Sequence, residues 1–109
     1  MSPKLLQVNY KFTGTPAEYE TANLPWAQPF AEFPGLRWKI WLMNAAEGEA
    51  GGIVLFEDEA ARQAYIDGPL AEAATDPTIS AIQFKRFDVL AEHSAITRGP
   101  VGVSVSVSV

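Results

Sequence analysis

The 109-residue chain contains no cysteine and only one histidine, His93. The lack of cysteine excludes disulfides, thiolate metal sites, iron–sulfur clusters and a cysteine nucleophile. A single histidine cannot form a two-histidine metal site, and it leaves no spare imidazole for a Ser-His-Asp triad. Carboxylates alone would have to hold a metal ion, so we predict no metal site and no cofactor.

Long apolar runs and an excess of positive charge are also missing. No stretch approaches the run of about 20 apolar residues that spans a bilayer, and the first residues lack the apolar segment of a signal peptide. The formal net charge is −5 at pH 7, which opposes binding to phosphate backbones. We therefore expect a soluble cytoplasmic protein without nucleic-acid or membrane partners.

The composition that is present is typical of one globular domain. Apolar residues make up 48% of the chain and charged residues 19%, and the length suits a single hydrophobic core. We predict one domain over residues 1–98 and a C-terminal extension over residues 99–109. In the extension, valine alternates with glycine or serine, so it is either an extra strand on a sheet edge or a tail without a role.

Hydrophobic alternation and turn residues predict strands at 5–12, 36–43, 51–56 and 79–89. After the first strand, Thr15 to Glu18 form a helix start with a capping box, and Pro25 and Pro29 predict that this helix is kinked or split. Asp58 is a suitable N-cap for a second helix. The resulting order βαββαβ indicates an α+β, ferredoxin-like fold with an antiparallel sheet.

Several short motifs resemble the YdhR family: Pro34-Gly35, Trp38-Lys39-x-Trp41, Glu49-Ala50-Gly51-Gly52, Leu55-Phe56-x-Asp58-Glu59, Ala64-Tyr65 and Phe87-Asp88-Val89. The resemblance covers roughly Leu5 to Leu90. It implies a ferredoxin-like subunit that packs through its sheet on a second copy as a dimeric α/β barrel, grouped with antibiotic-biosynthesis monooxygenases. It also implies oxidation of polycyclic aromatic or quinone-like substrates by dioxygen, without flavin, metal or haem.

The alternation of the second strand assigns its side chains to two faces. Trp38 and Ile40 would turn toward the helices, and Lys39 and Trp41 would turn away from them. The outer face would then carry Asn9, Lys39 and Trp41. We predict that these residues lie at a homodimer interface, and the alternative is an ordinary solvated face.

The face toward the helices is where we expect a pocket for a small aromatic molecule. Tyr10 and Tyr65 are the predicted catalytic residues, because a buried hydroxyl needs a hydrogen-bond partner that a ligand can supply. Trp38 and Phe84 are the predicted substrate-binding walls, although large aromatics on a buried face are more often core. Arg86 would either pair with a ligand anion there or be turned outward by a bulge at Lys85-Arg86, which is the favoured alternative.

The leading functional hypothesis is a cofactor-independent monooxygenase in which an electron-rich phenolate or enolate gives an electron to dioxygen. The alternatives are a non-catalytic binder of small aromatic ligands and a structural dimer with a closed pocket. His93 lies beyond the last strand and is either a general base or a surface residue. Haem-degrading relatives of this fold place a ligand histidine on a helix, and neither predicted helix contains one, which disfavours haem.

Overall fold

Four antiparallel strands form one sheet in the computed structural model, which describes residues 3–102. The strand order β2-β3-β1-β4 confirms the predicted α+β, ferredoxin-like fold. Among the described residues, no helix combines the length and apolar character needed to cross a membrane. The strands are β1 (Lys4–Phe12), β2 (Leu36–Asn44), β3 (Glu49–Phe56) and β4 (Ile79–Asp88), and the helices are α1 (Pro16–Asn23), α2 (Ala27–Ala31), α3 (Glu59–Tyr65), α4 (Ala71–Ala73) and α5 (Ala91–Ile96).

Proline divides the first helical segment, as predicted. The Thr15 side chain accepts a hydrogen bond from the Glu18 backbone N–H, and the Glu18 carboxylate accepts one from the Thr15 N–H, so the capping box is present. The helix α1 ends at Asn23, a 3₁₀ turn covers Leu24–Trp26, and α2 follows. Side chains of both α1 and α2, among them Tyr19 and Phe30, line the same cavity above the sheet.

The predicted phase of β2 is wrong beyond Leu36. The register of β2 against β3 shifts between Leu36 and Trp38, so Arg37 is an extra residue in this strand. Side chains that follow a bulge of this kind point to the face opposite to the one expected from strict alternation, whereas Leu36, which precedes it, keeps the predicted face. Trp38 therefore lies on the outer face of the sheet, and Lys39 and Trp41 turn toward the helices.

The favoured bulge at Lys85-Arg86 is also wrong. The strand β4 shifts register against β1 between Asn9 and Lys11, next to Ala81, which has a φ of 54°. Arg86 consequently keeps the phase of Phe84 on the helix side. Because β4 is an edge strand, Arg86 is exposed there, and its Nη2 donates to Gln63 Oε1 at 3.0 Å.

The chain beyond β4 forms the helix α5, which the sequence did not predict, and then packs on the outer face of the sheet. Trp38 Nε1 donates to the carbonyl oxygen of Pro100 at 2.6 Å. Val101 is only 6% exposed, and Leu55, on the same face as Trp38, is fully buried. The start of the predicted extension thus contacts the domain. Residues 103–109, which hold the rest of it, lie outside the described residues.

Arg62 fixes α3 against the sheet. It is buried, and its Nη1 donates to the backbone oxygens of Leu5 at 3.1 Å and Phe87 at 3.0 Å. These bonds tie α3 to β1 and β4, and they hold Tyr65 at the end of α3 over the sheet. The buried cluster between α3 and the sheet comprises Leu6, Val8, Val54, Phe56, Tyr65 and Leu70.

Candidate functional site

A cavity of about 1320 Å³ lies between the sheet and the helical segments. Ligand pockets of about 300–1,000 Å³ hold drug-sized molecules, so this space can accept a fused-ring compound. Lys39 and Gly52 form part of its sheet side. The aromatic side chains that line it are Tyr10, Tyr19, Trp26, Phe30, Phe33, Trp41 and Tyr65.

Lys39 is surrounded by the rings of Phe30, Trp41 and Tyr65, which we call the aromatic box. Its Nζ lies 4.2 Å from the centroid of the Phe30 ring and 3.9 Å from that of Trp41. The same Nζ donates to Tyr65 Oη at 3.0 Å. A cation over an aromatic face gains about 0.5–2 kcal/mol, so the rings partly replace the water that the ammonium group loses.

Gly52 makes room for the Lys39 side chain. It pairs with Trp41 across β2 and β3. A Cβ atom at Gly52 would lie 2.9 Å from the Ile40 carbonyl oxygen and 3.3 Å from Lys39 Cε. A larger residue would therefore displace the lysine stem from the cavity floor, which gives one of the twin glycines a packing role beside the site.

Burial lowers the pKa of Lys39 from 10.5 to about 8. The cause is desolvation, which disfavours the charged amine. Within residues 3–102, the recorded ion pairs are Lys4–Asp88 and Arg62–Glu59, and neither involves Lys39. The amine is therefore close to its titration range at neutral pH and is not neutralised by a carboxylate of the described chain.

Tyr65 is held rigidly and stays protonated. Its ring packs edge-on against Phe33 and Phe56, with centroid distances of 5.7 and 5.4 Å. Burial raises the pKa of the Tyr65 hydroxyl far above its ordinary value. Because its oxygen accepts a hydrogen bond from Lys39, the hydroxyl proton is available to a ligand.

Tyr10 and Tyr19 form a second hydroxyl pair in the cavity. Their hydroxyls are hydrogen-bonded to each other, and Tyr19 also packs on Phe12 with ring centroids 4.8 Å apart. Burial, followed by the bond to Tyr19, raises the pKa of Tyr10. Burial also raises the pKa of Tyr19. Both phenols are thus hydrogen-bonding groups at neutral pH rather than bases.

The structure brings some of the predicted site residues together and separates others. Tyr10 and Tyr65 both line the cavity, and their catalytic roles stay predictions. Trp38, Phe84 and Arg86 do not line it. Trp38 is on the outer face because of the β2 bulge, and Phe84, on the edge strand β4, is 40% exposed.

Two of the three residues predicted at the dimer interface have the wrong placement. Lys39 and Trp41 line the cavity, since the extra residue Arg37 reverses the phase of β2. Asn9 lies on the outer face, opposite Gly51 on one side and Gln83 on the other.

Sequence reasoning missed Tyr19 and Phe30 as cavity residues. Both come from the proline-divided segment, where the direction of each helix cannot be deduced from spacing alone. For β2, the sequence does contain a signal that its two faces are hard to tell apart. Both faces are apolar, because Trp38 and Ile40 alternate with Trp41 and Met43. Such a strand does not specify its own phase.

The mouth of the cavity is acidic. Four exposed carboxylate side chains line it, those of Glu18, Asp67, Glu72 and Asp76. His93 is exposed on α5 and is not among the lining residues. Within residues 3–102, the cavity lining therefore contains no imidazole.

These features place the chain among small ferredoxin-like domains with an aromatic-lined cavity between sheet and helices. Residues 5–100 match the family described as "Putative mono-oxygenase ydhR". The chain belongs to this family, which confirms the resemblance seen in its motifs. A search of curated proteins found no match.

Solved structures share the fold. The protein NE2512 of unknown function from Nitrosomonas europaea is 26% identical, with 83% of this chain and 91% of that chain covered and a TM-score of 0.66. SnoaB, a cofactor-independent oxygenase from Streptomyces nogalater, is 21% identical, with coverage of 82% and 94% and a TM-score of 0.64. The heme-degrader MhuD from Mycobacterium tuberculosis, solved with two hemes bound, is 20% identical, with coverage of 79% and 95% and a TM-score of 0.60.

The buried amine should leave a signature in the pH dependence of stability. The pKa of Lys39 falls from 10.5 in its ordinary state to about 8 in the folded chain. Between these values the unfolded chain binds more protons, so the free energy of unfolding rises with pH. Below pH 8 both states are protonated and the desolvation cost opposes folding.

We expect urea unfolding to show this rise between pH 8 and pH 10 relative to Lys39→Met, which lacks the amine. The tyrosines, whose ordinary pKa is 10.0, begin to ionise in the unfolded state near the upper end of this range, but they are present in both proteins and their contribution cancels in the comparison. Parallel curves for the two proteins across this range would show that Lys39 is solvated like a surface lysine.

Proposed function

We propose that the chain is a monooxygenase that oxidises a planar aromatic substrate with dioxygen and without a bound cofactor. The observation that carries this proposal is the aromatic cavity with the Lys39–Tyr65 pair on its sheet side. The rings suit flat apolar substrates, and the pair supplies polar groups at one point, which is the usual design of a small-molecule site. The family description supports the reaction class.

The chemistry requires a substrate that supplies its own electrons. An ionised phenol or enol transfers one electron to dioxygen, and the resulting carbon radical combines with superoxide to give a peroxide anion. The peroxide is protonated, the ring carbon that carries it loses its remaining hydrogen as a proton, and the O–O bond breaks. Hydroxide takes up that proton and leaves as water, and a carbonyl group stays on the ring. One oxygen atom enters the product, the other leaves as water, and the substrate provides all the electrons, so no external reductant is consumed.

The cavity residues would bind and orient the substrate. Tyr65 and Tyr10 carry protonated hydroxyls, which can donate hydrogen bonds to the oxyanion of the substrate or of the peroxide. Trp41 and Phe30 would stack on the substrate ring. The protein then contributes orientation and charge stabilisation, the two effects that such a reaction needs.

We further propose that the outer sheet face forms a homodimer interface. With Lys39 and Trp41 on the cavity side, Asn9 shares this face with two apolar side chains of β2, Ile40 and Leu42. Ile40 is 49% exposed and Leu42 38% exposed in the single chain. A second copy of the same sheet would cover them, as expected for the apolar centre of a dimer interface.

The predicted small aromatic ligand and the predicted cytoplasmic location are part of the same proposal. The lack of nucleic-acid partners is also proposed, from the acidic composition, and the lack of membrane partners from the absence of a long apolar run in the sequence.

The activity is tested by oxygen uptake with a hydroxyanthrone and a hydroquinone as substrates. We expect turnover that persists in EDTA and needs neither NADH nor flavin. Tyr65→Phe should lower the rate about ten-fold or more, the effect of a lost hydrogen bond to a charged group. Phe84→Leu is the matched control: Phe84 lies outside the cavity lining, so its replacement should leave the rate unchanged.

Two results would contradict the proposal. Turnover that appears only after addition of flavin or iron would exclude the cofactor-independent reaction. Oxygen uptake at the buffer rate with every electron-rich aromatic, although these compounds bind, would favour the alternative of a non-catalytic binder.

The dimer is tested by placing a charge on the outer face. Ile40→Glu should convert a dimer into a monomer in light scattering at tens of micromolar, because a buried unpaired carboxylate is costly. Phe84→Glu is the control: Phe84 is 40% exposed on the opposite, helix-side face of the sheet, where it pairs with Val8, and its replacement should leave the mass unchanged. A monomeric parent protein would refute the interface.

A further inference from the structure

Lys39 is a cation in an apolar site whose only recorded hydrogen bond in the described chain goes to a neutral hydroxyl. Arg62, which is more deeply buried than the half-buried Lys39, has a carboxylate partner in Glu59. Charges taken out of water are normally paired. A charged group held without an acid among aromatic rings is therefore suited to receive an anion from outside the described chain.

The geometry leaves donors free for such an anion. An ammonium group has three N–H donors, and one of them is used on Tyr65 Oη at 3.0 Å. The Tyr65 hydroxyl accepts that bond, so its own proton can be donated elsewhere. Two neighbouring groups can thus donate to the same ligand oxygen, a charge-assisted arrangement that is stronger than a neutral hydrogen bond.

We propose that Lys39 and Tyr65 form an anion-binding site that selects aromatic ligands carrying one negative charge, a phenolate, enolate or carboxylate, on the ring edge. The charged oxygen lies on the Lys39–Tyr65 pair, and the ring system lies along Phe30 and Trp41. This inference rests on the proposed function and deepens it, because it assigns the recognition of the charged oxygen to Lys39 together with Tyr65. In the oxygenase reaction the same contact favours the ionised, electron-rich form.

The carboxylates at the mouth of the cavity repel anions, so binding depends on whether the attraction of an anion to Lys39 exceeds this repulsion. Asp76 and the other carboxylates of the mouth are exposed, where water and salt weaken their fields within about 8 Å. Lys39 is desolvated, and the same charge acts more strongly there. The arrangement fits a ligand with a single negative charge that enters the cavity and disfavours ligands with several charges.

The test compares 2-naphthoate with 2-naphthamide, which have nearly the same shape and differ in charge. Binding of each to the full chain is measured by calorimetry at neutral pH. We expect the parent protein to bind the carboxylate about ten-fold or more tightly than the amide, as expected for a charge-assisted hydrogen bond. Lys39→Met should abolish this preference and still bind the amide.

Two further variants separate charge from packing. Lys39→Arg keeps the charge and should retain a preference for the carboxylate. Lys11→Met removes an exposed lysine of β1 that lies outside the cavity, and it should behave like the parent protein.

Each outcome decides a different claim. Equal binding of the two ligands by the parent protein, or an unchanged preference in a folded Lys39→Met, would overturn the anion site and leave the aromatic cavity in place. Binding of neither ligand would overturn the anion site together with the proposed aromatic site. A charge preference without any oxygen uptake would support the anion site while refuting the monooxygenase.

Discussion

One extra residue in β2, Arg37, determines which side chains reach the cavity. The register shift beside it sends Trp38 to the outer face and turns Lys39 and Trp41 toward the helices. The consequence is large because a strand alternates strictly, so a shift of one residue reverses every following side chain. Without the extra residue, Trp38 and Ile40 would face the cavity in place of Lys39 and Trp41.

The placement of Lys39 in turn depends on its neighbours. Gly52 leaves the space that the lysine stem occupies, and Phe30 and Trp41 offer ring faces to the ammonium group. Arg62 holds α3 so that Tyr65 meets the amine. The rings and Tyr65 thus offset only part of the desolvation cost of the Lys39 charge. An anion that pairs with the amine would offset the rest, and this gain is the source of the proposed affinity. A structural feature that opposes folding becomes useful in binding.

The sequence was sufficient for the architecture and insufficient for the faces of individual strands. Local chemistry predicts the cap at Thr15, the division of the first helix by proline, and the order of strands and helices along the chain. The structure confirms all three. The phase of β2 could not be predicted, because Trp38 and Trp41 are both large and apolar and point in opposite directions. Tertiary packing chose between them. No glycine or other local signal marks the bulge at Ala81, so the sequence did not indicate its position, and the bulge predicted at Lys85-Arg86 is wrong.

The orientation of the Lys39 side chain is measured most directly by NMR, for which a chain of 109 residues is small enough. Because Lys39 Nζ lies 4.2 Å from the Phe30 ring centroid and 3.9 Å from that of Trp41, we expect the ε-methylene protons of Lys39 to show nuclear Overhauser contacts to these rings and to be shifted upfield by their ring currents. Lys39→Arg assigns the resonances. Contacts from these protons to Asn9 or other outer-face side chains, with no ring-current shift, would contradict the account.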